Sequence, residues 1–222
     1  MRHRVILFDI DGTLINTGGA GAVAWHRAFR HLYGVDVDIE QFSDNGMTDP
    51  DVGEATFEGV LGRKPNADEF QRLLENRLRY LRGAVRESVG YEVLPGVKRL
   101  IPSLLHSGYL LGLTTGNTQD AAHVKLHRSG LNRYFACGGY GSDSRDRGAL
   151  TRRAVERARL VYGAPLATRE CIAVGDTPRD VNAAHAAGIE CVGVATLHYS
   201  TEDLQRAGAD YVVASLNERL PF

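Results

Sequence analysis

The sequence predicts an α/β fold: a Rossmann-like parallel-sheet core carrying an inserted all-helical cap domain. Three observations predict it. Apolar runs of strand length alternate with helical segments through the second half of the chain, at residues 109–114, 135–137, 171–174, 191–195 and 211–213. A further strand-length run, residues 5–10, opens the chain with no parallel partner nearby. Between them, residues 22–88 show helical periodicity throughout. The opening run therefore joins the later ones in one sheet, and the helical stretch is an insertion.

Each element has its own local reason. Residues 5–10 lack polar alternation, as do most of the later runs, which fits strands covered on both faces. In the first helix of the insertion Trp25, Phe29 and Leu32 share a face, and Gly34 supplies a left-handed stop. The last helix opens with Asn66 and Glu69 at capping-box spacing and carries Phe70, Leu73, Leu74, Leu78, Leu81 and Val85 as a stripe. Its basic residues Arg72, Arg77, Arg79 and Arg82, interleaved with Glu69 and Glu75, read as a solvated face. The polar stretch with Asn45, Thr48 and Asp49 reads as a surface turn between helices that also has the chemistry to face a substrate. After Leu94-Pro95-Gly96 the strand–helix alternation begins, with Gly130, Gly163, Gly188 and Gly208 ending its helices. Residues 1–15 and 93–222 form a discontinuous core and residues 16–92 the cap, with Gly18-Gly19-Ala20-Gly21 as a hinge.

Bulk properties narrow the function classes. The 222 residues hold 26 basic against 27 acidic side chains. That balance carries no field to recruit nucleic acid or an anionic membrane. No apolar run approaches the ~20 residues of a membrane span, and no signal-peptide pattern opens the chain. The three cysteines, Cys137, Cys171 and Cys191, lie in apolar segments without C-x-x-C spacing and read as reduced thiols of a cytoplasmic protein.

The chemistry is concentrated where the strands end. Residues 5–10 run into Asp9-Ile10-Asp11-Gly12-Thr13-Leu14, two carboxylates two positions apart followed by a glycine that permits a sharp turn. The run at 171–174 leads into Gly175-Asp176-Thr177-Pro178-Arg179-Asp180, which puts a third acid at a strand mouth and a fourth one turn into a helix. In an open parallel sheet such loops converge at one edge. Four converging carboxylates repel one another unless a hard cation offsets them, and oxygen-rich sites of this kind suit Mg²⁺. Thr115-Gly116-Asn117, at the end of another strand, offers a hydroxyl and accessible amides for a phosphate oxygen. Arg145 and Arg147, before a helix, are the available cations for its remaining charge.

Asp-x-Asp-Gly-Thr at a strand end, Thr115, a basic residue and Gly175-Asp176-x-x-x-Asp180 resemble, in order and spacing, the four motifs of the haloacid dehalogenase superfamily. The helical insertion after the first motif and Leu94-Pro95-Gly96-Val97 are similar to the phosphoglycolate phosphatase-like branch. The likeness covers essentially the whole chain. It implies an Mg²⁺-dependent phosphatase acting on a small phosphorylated metabolite. Asp9 would be the nucleophile, forming an aspartyl-phosphate, and Asp11 the general acid and base. Thr115, Gly116, Asn117 and Arg147 would hold the phosphoryl group. Asp9, the Asp11 carbonyl and Asp176 would hold the metal, with Asp180 as ligand or support. The third motif usually carries lysine. Here arginine stands in its place, Arg147 by preference and Arg145 as the alternative.

Two other patterns carry less weight. Gly19-Ala20-Gly21 superficially fits a dinucleotide fingerprint but does not directly follow a strand. His123 and His127 share a helix face at metal-ligand spacing, yet no third ligand is evident. Asp11 argues against the dehalogenases proper and the phosphonate-cleaving branch, which lack that acid. A phosphosugar mutase or a non-catalytic phospho-ligand sensor remain as alternatives.

Overall fold

The computed structural model describes residues 4–163 and 165–222. Strand β1 (Val5–Phe8) is fully buried. The chain turns tightly behind it, with the Gly12 amide donating to the Ile15 carbonyl, and enters a two-residue strand, β2 (Ile15–Asn16). Three helices follow: α1 (Ala20–Tyr33), α2 (Asp49–Leu61) and α3 (Ala67–Glu87). The return strand, β3 (Glu92–Val93), pairs antiparallel with β2, so the way into the helical block and the way out form one short ribbon. The alternating half then runs α4 (Val97–His106), β4 (Leu110–Thr115), α5 (Gln119–His127), β5 (Cys137–Tyr140), α6 (Arg147–Tyr162) and β6 (Cys171–Gly175). It closes with α7 (Pro178–Ala186), β7 (Glu190–Val194), α8 (Thr201–Arg206) and β8 (Tyr211–Val213).

Six strands make one parallel sheet in the order β5-β4-β1-β6-β7-β8. The opening strand thus lies at the centre, between β4 and β6, with Phe8 level with Leu113 and Val174. Alternate residues of β1 feed different layers. Ile6 and Phe8 pack with Leu111, Leu113, Ile172 and Val174 on one face, and Val5 and Leu7 with Ala154, Ala158, Ala173 and Val181 on the other. The helical block has its own core around Trp25, Phe29, Phe57 and Leu73. A smaller cluster, Ala20, Ala24, Leu81 and Val85 with Ala121, joins α1 and α3 to α5. Asn66 and Glu69 form the expected capping box on α3.

One strand is displaced from its expected position. The apolar run at 135–137 ends where pairing begins, and β5 is Cys-Gly-Gly-Tyr. A Cβ on Gly139 would collide with the Leu150 carbonyl of α6. The α6 backbone lies directly on Gly139, while a Cβ on Gly138 would meet the Tyr140 phenol and Leu113, so each glycine makes room for a close neighbour. The three cysteines are free, and Cys171 and Cys191 are buried. Among the described residues no helix is long and apolar enough to cross a membrane.

Candidate active site

Because β1, β4 and β6 are neighbours and parallel, the segments that follow them meet at one edge. Asp9 stays in the ladder, its amide donating to the Val174 carbonyl at 2.9 Å, while Asp176 leaves β6 alongside it. Gly12 makes their approach possible. Its φ of +79° is reached freely only by glycine, and a Cβ there would strike the Asp176 carboxylate. Thr13 donates to Asp176 Oδ1 at 3.1 Å. Asp9, Asp176 and Asp180 are all buried, and one ligand atom from each lies within 4.8 Å of the others. They are the one such group of three metal-binding side chains found among the described residues. His123 and His127 join no group of this kind. His123 faces Asn132 and the Tyr140 ring instead.

Burial and mutual repulsion act together on this cluster. Desolvation, then the Asp180 charge, push the Asp9 carboxyl well above the ordinary range; Arg147 and a hydrogen bond from Thr115 only partly oppose them. Asp176 is raised for the same reasons, with Asp180 and Asp9 as its charged neighbours. Buried carboxylates gathered in this way suit an oxygen-loving divalent ion, whose charge would offset both the burial and the repulsion. The donor set fits Mg²⁺ in chemistry and in closeness.

Asp180 is already engaged. Its Oδ2 accepts from the Thr177 amide at 3.0 Å and the Thr177 hydroxyl at 2.7 Å, as the capping box of α7, and its Oδ1 pairs with Arg147. Arg147, at the start of α6, also lies 3.8 Å from Asp9 Oδ1 and donates to the Gly46 carbonyl at 2.7 Å. Arg145 turns away, to Glu54 and Asp51 of α2 and the Phe70 ring. Of the two candidate arginines, it is Arg147 that reaches the cluster. Thr115 is fully buried beside Asp9, and its hydroxyl also accepts from Asn117 Nδ2 at 2.9 Å. Asp11 stands apart from the metal-like trio. Its Oδ2 accepts from Lys125 Nζ at 2.6 Å and from Asn117 Nδ2 at 2.8 Å. Burial works to raise its pKa, but Lys125 and the two hydrogen bonds outweigh it and hold the group below its usual value.

Two expectations for the helical block fail here. Thr48 and Asp49 do not form a surface turn: both are buried. The Asp49 amide donates to the Gly116 carbonyl at 2.8 Å, and its Oδ2 accepts from the Thr118 amide at 2.8 Å. Nor is Arg77 solvated. It is 2% exposed, makes a two-pronged pair with Asp49 at 2.8 and 2.9 Å, and lies over the Trp25 ring. The first turn of α2 is thereby clasped to the loop after β4. The cavity between them, about 160 Å³, is lined by Asp9, Asp11, Asp176, Thr115 and Arg147 from the sheet side. Asn45, Met47 and Asp49 line it from the helical block, and Lys125, Leu197 and His198 complete the lining. Lys125, Leu197 and His198 carried no signal in the sequence, lying in no motif and no polar cluster, and Met47 is an apolar residue within the polar stretch around Asn45 and Thr48.

The sequence profile of the haloacid dehalogenase-like hydrolases matches residues 3–188. The chain belongs to this family. A phosphoglycolate phosphatase of Yersinia pestis is 27% identical over 222 residues, covering 98% of this chain and 92% of its own. One from Escherichia coli K12 is 25% identical, covering 98% and 91%. Among solved structures, CbbY from Rhodobacter sphaeroides, in complex with phosphate, superposes with a TM-score of 0.77 at 20% identity, over 97% of this chain and 96% of its own. This haloacid dehalogenase-like hydrolase falls in the phosphoglycolate phosphatase-like branch and is an enzyme of the phosphatase class.

Proposed function

We propose that the chain hydrolyses phosphate monoesters of small metabolites with Asp9 as nucleophile, Asp11 as general acid and base, and Mg²⁺ as cofactor. The observation that carries this reading is the meeting of Asp9 and Asp176 beneath Arg147 and Thr115 while Asp11 faces the same cavity from the side. A nucleophilic carboxylate, a charge-neutralising set and a separate proton carrier are the three parts that phosphoryl transfer asks for. Asp9, Asp176 and the Asp11 main-chain carbonyl would hold the ion, with Asp180 supporting it through Thr177 and Arg147. When bound, Mg²⁺ supplies positive charge that offsets the carboxylates and the phosphoryl oxygens.

The chain's own groups do the rest. Asp9 attacks phosphorus, and the bond to the substrate oxygen breaks as Asp11 protonates it. Thr115, the Gly116 amide, Asn117 and Arg147 fix the phosphoryl group through this transfer. Water then attacks the aspartyl-phosphate, Asp11 takes its proton, and Asp9 is restored. We assign residues 1–15 and 93–222 to the catalytic core and 16–92 to the cap. The cap's Asn45, Met47 and Asp49 would close over the leaving group and exclude bulk water. A cavity of about 160 Å³, below the ~300–1,000 Å³ of pockets for drug-sized ligands, supports a small substrate. Phosphoglycolate is the substrate in the names of the relatives and heads the panel to be tried.

The test is release of inorganic phosphate from a panel of phosphorylated metabolites and an aryl phosphate, with and without Mg²⁺, by wild type and Asp9→Asn. Turnover that needs the metal and disappears in a folded Asp9→Asn variant is expected. Release unaffected by the substitution would remove the nucleophile. A Bacteroides vulgatus protein provisionally described as a β-phosphoglucomutase has the same fold, with a TM-score of 0.70 at 19% identity, and a mutase would use the same core acids. Sugar-phosphate isomerisation that requires a bisphosphate activator would select that reading.

A further inference from the structure

Lys125 belongs to none of the segments that carry chemistry in the sequence, yet its ammonium ends inside the catalytic cavity. It is 6% exposed and lies 2.6 Å from Asp11 Oδ2. Asn117 Nδ2 donates to the same oxygen at 2.8 Å. Asn117 is tethered on the sheet side of the site, and Lys125 is carried by α5. The Asn117 amide donates to the Thr115 hydroxyl at 3.3 Å, and its carbonyl accepts from the Gly141 amide at 2.8 Å. The Lys125 carbonyl accepts from the Tyr91 hydroxyl at 2.8 Å. No donor among the described residues reaches Asp11 Oδ1. One carboxylate oxygen is saturated by two anchored donors, and the other is left for the substrate.

Burying an ammonium on a flexible four-carbon stem is costly, and a buried ion pair is poor evidence for stability. Its partner is also a side chain that is 40% exposed toward the cavity, so the pair seals no core. Orientation is what it secures. We infer that Lys125 is a positioning residue for the leaving-group step: with Asn117 it pins Oδ2 of Asp11, so that Oδ1 alone meets the leaving oxygen. This rests on the proposed phosphatase mechanism. As the P–O bond breaks, its electron pair goes to the substrate oxygen, which takes a proton from Oδ1. When water later adds to phosphorus, its proton goes to Oδ1 and the Asp9 carboxylate leaves.

A positioning role makes the loss depend on the leaving group, which a purely structural role would not. In Lys125→Met, kcat/KM, which reports formation of the aspartyl-phosphate and not its hydrolysis, should fall by about tenfold or more for glycerol 2-phosphate, a poor alkoxide leaving group, a part of the ~10²–10⁴ that acid–base catalysis contributes. For p-nitrophenyl phosphate, whose phenolate leaves unaided, it should change by no more than about threefold, since that step needs little of the same assistance. A crystal structure of the variant should show the Asp11 carboxylate rotated away from Asn117. Equal losses on the two esters, or an Asp11 carboxylate that has not moved, would overturn the inference. If wild type released phosphate from neither ester, the proposed function would fall, and the crystal structure would still decide the positioning. Should Lys125→Met not fold, Lys125→Gln takes its place in both measurements.

Discussion

Arg77 shows how a single residue can be misjudged by composition and explained by spacing. It lies four residues after Leu73 and four before Leu81, both fully buried, so it stands in the middle of the apolar stripe of α3. The charge density of the helix suggests a wet surface; the period of four does not. Its partner Asp49 is the first residue of α2, where a carboxylate is favoured by the exposed amides of a helix N-terminus. Removing the guanidinium would leave that carboxylate buried and uncompensated. Arg77→Met should cost about 3–5 kcal/mol, read as a lower urea midpoint, and the Arg77→Met/Asp49→Leu double variant should recover most of the loss. A single variant within a few tenths of a kcal/mol of wild type would show that the pair does not hold the block together. Arg147, by contrast, was legible as one of two arginines before a helix. Only the path of the loop decided that it points at Asp9 while Arg145 pairs with α2.

At the scale of elements, α7 ties the end of β6 to the cluster. Thr177 and Asp180 cap the helix reciprocally, and the same Asp180 carries Arg147. One residue therefore sets a helix start and the orientation of the cation over Asp9. Thr177→Ala removes both the cap to the Asp180 amide and the hydroxyl that steadies Asp180 Oδ2. A stability loss of ~1 kcal/mol is the ordinary consequence of losing a cap. Here a fall in kcat should accompany it, because Arg147 loses a fixed partner. A lowered melting temperature with unchanged kcat would separate the helix from the site. The same scale explains the misplaced strand. A strand is recognised in sequence by β-branched and aromatic side chains, and Gly138 and Gly139 supply neither. Their fitness for β5 is a property of what packs against each, the α6 backbone on Gly139 and the Tyr140 phenol and Leu113 on Gly138.

The whole molecule is a sheet edge that gathers like charges and helices that cover it, and its stability should register that strain. Asp9 and Asp176 have pKa values raised in the fold. Between the ordinary carboxylate value near 3.8 and those raised values, the folded chain holds protons that the unfolded chain has released. Stability of the metal-free protein must then fall as pH rises through that window. Binding of Mg²⁺ would oppose the fall, since the ion replaces the protons. The gain in melting temperature on adding Mg²⁺ should therefore be larger at about pH 8 than at about pH 5.5. A gain that is the same at both, or absent, would count against the acids as the metal site.

By itself the sequence determined the kind of sheet, the presence of a helical insertion and the acids at the strand ends. Those are local facts: apolar runs without alternation, a 3.6-residue period, and carboxylates placed where a strand must stop. The tertiary structure alone decided which distant side chains complete the cavity. Lys125 and Asp49, which line it, and Arg77, which holds Asp49, lie outside the strand-end motifs, so no spacing rule links them to Asp9 or Asp11. They meet only because parallel neighbours carry their following segments to one edge, and because burying a charge obliges the chain to bring it a partner.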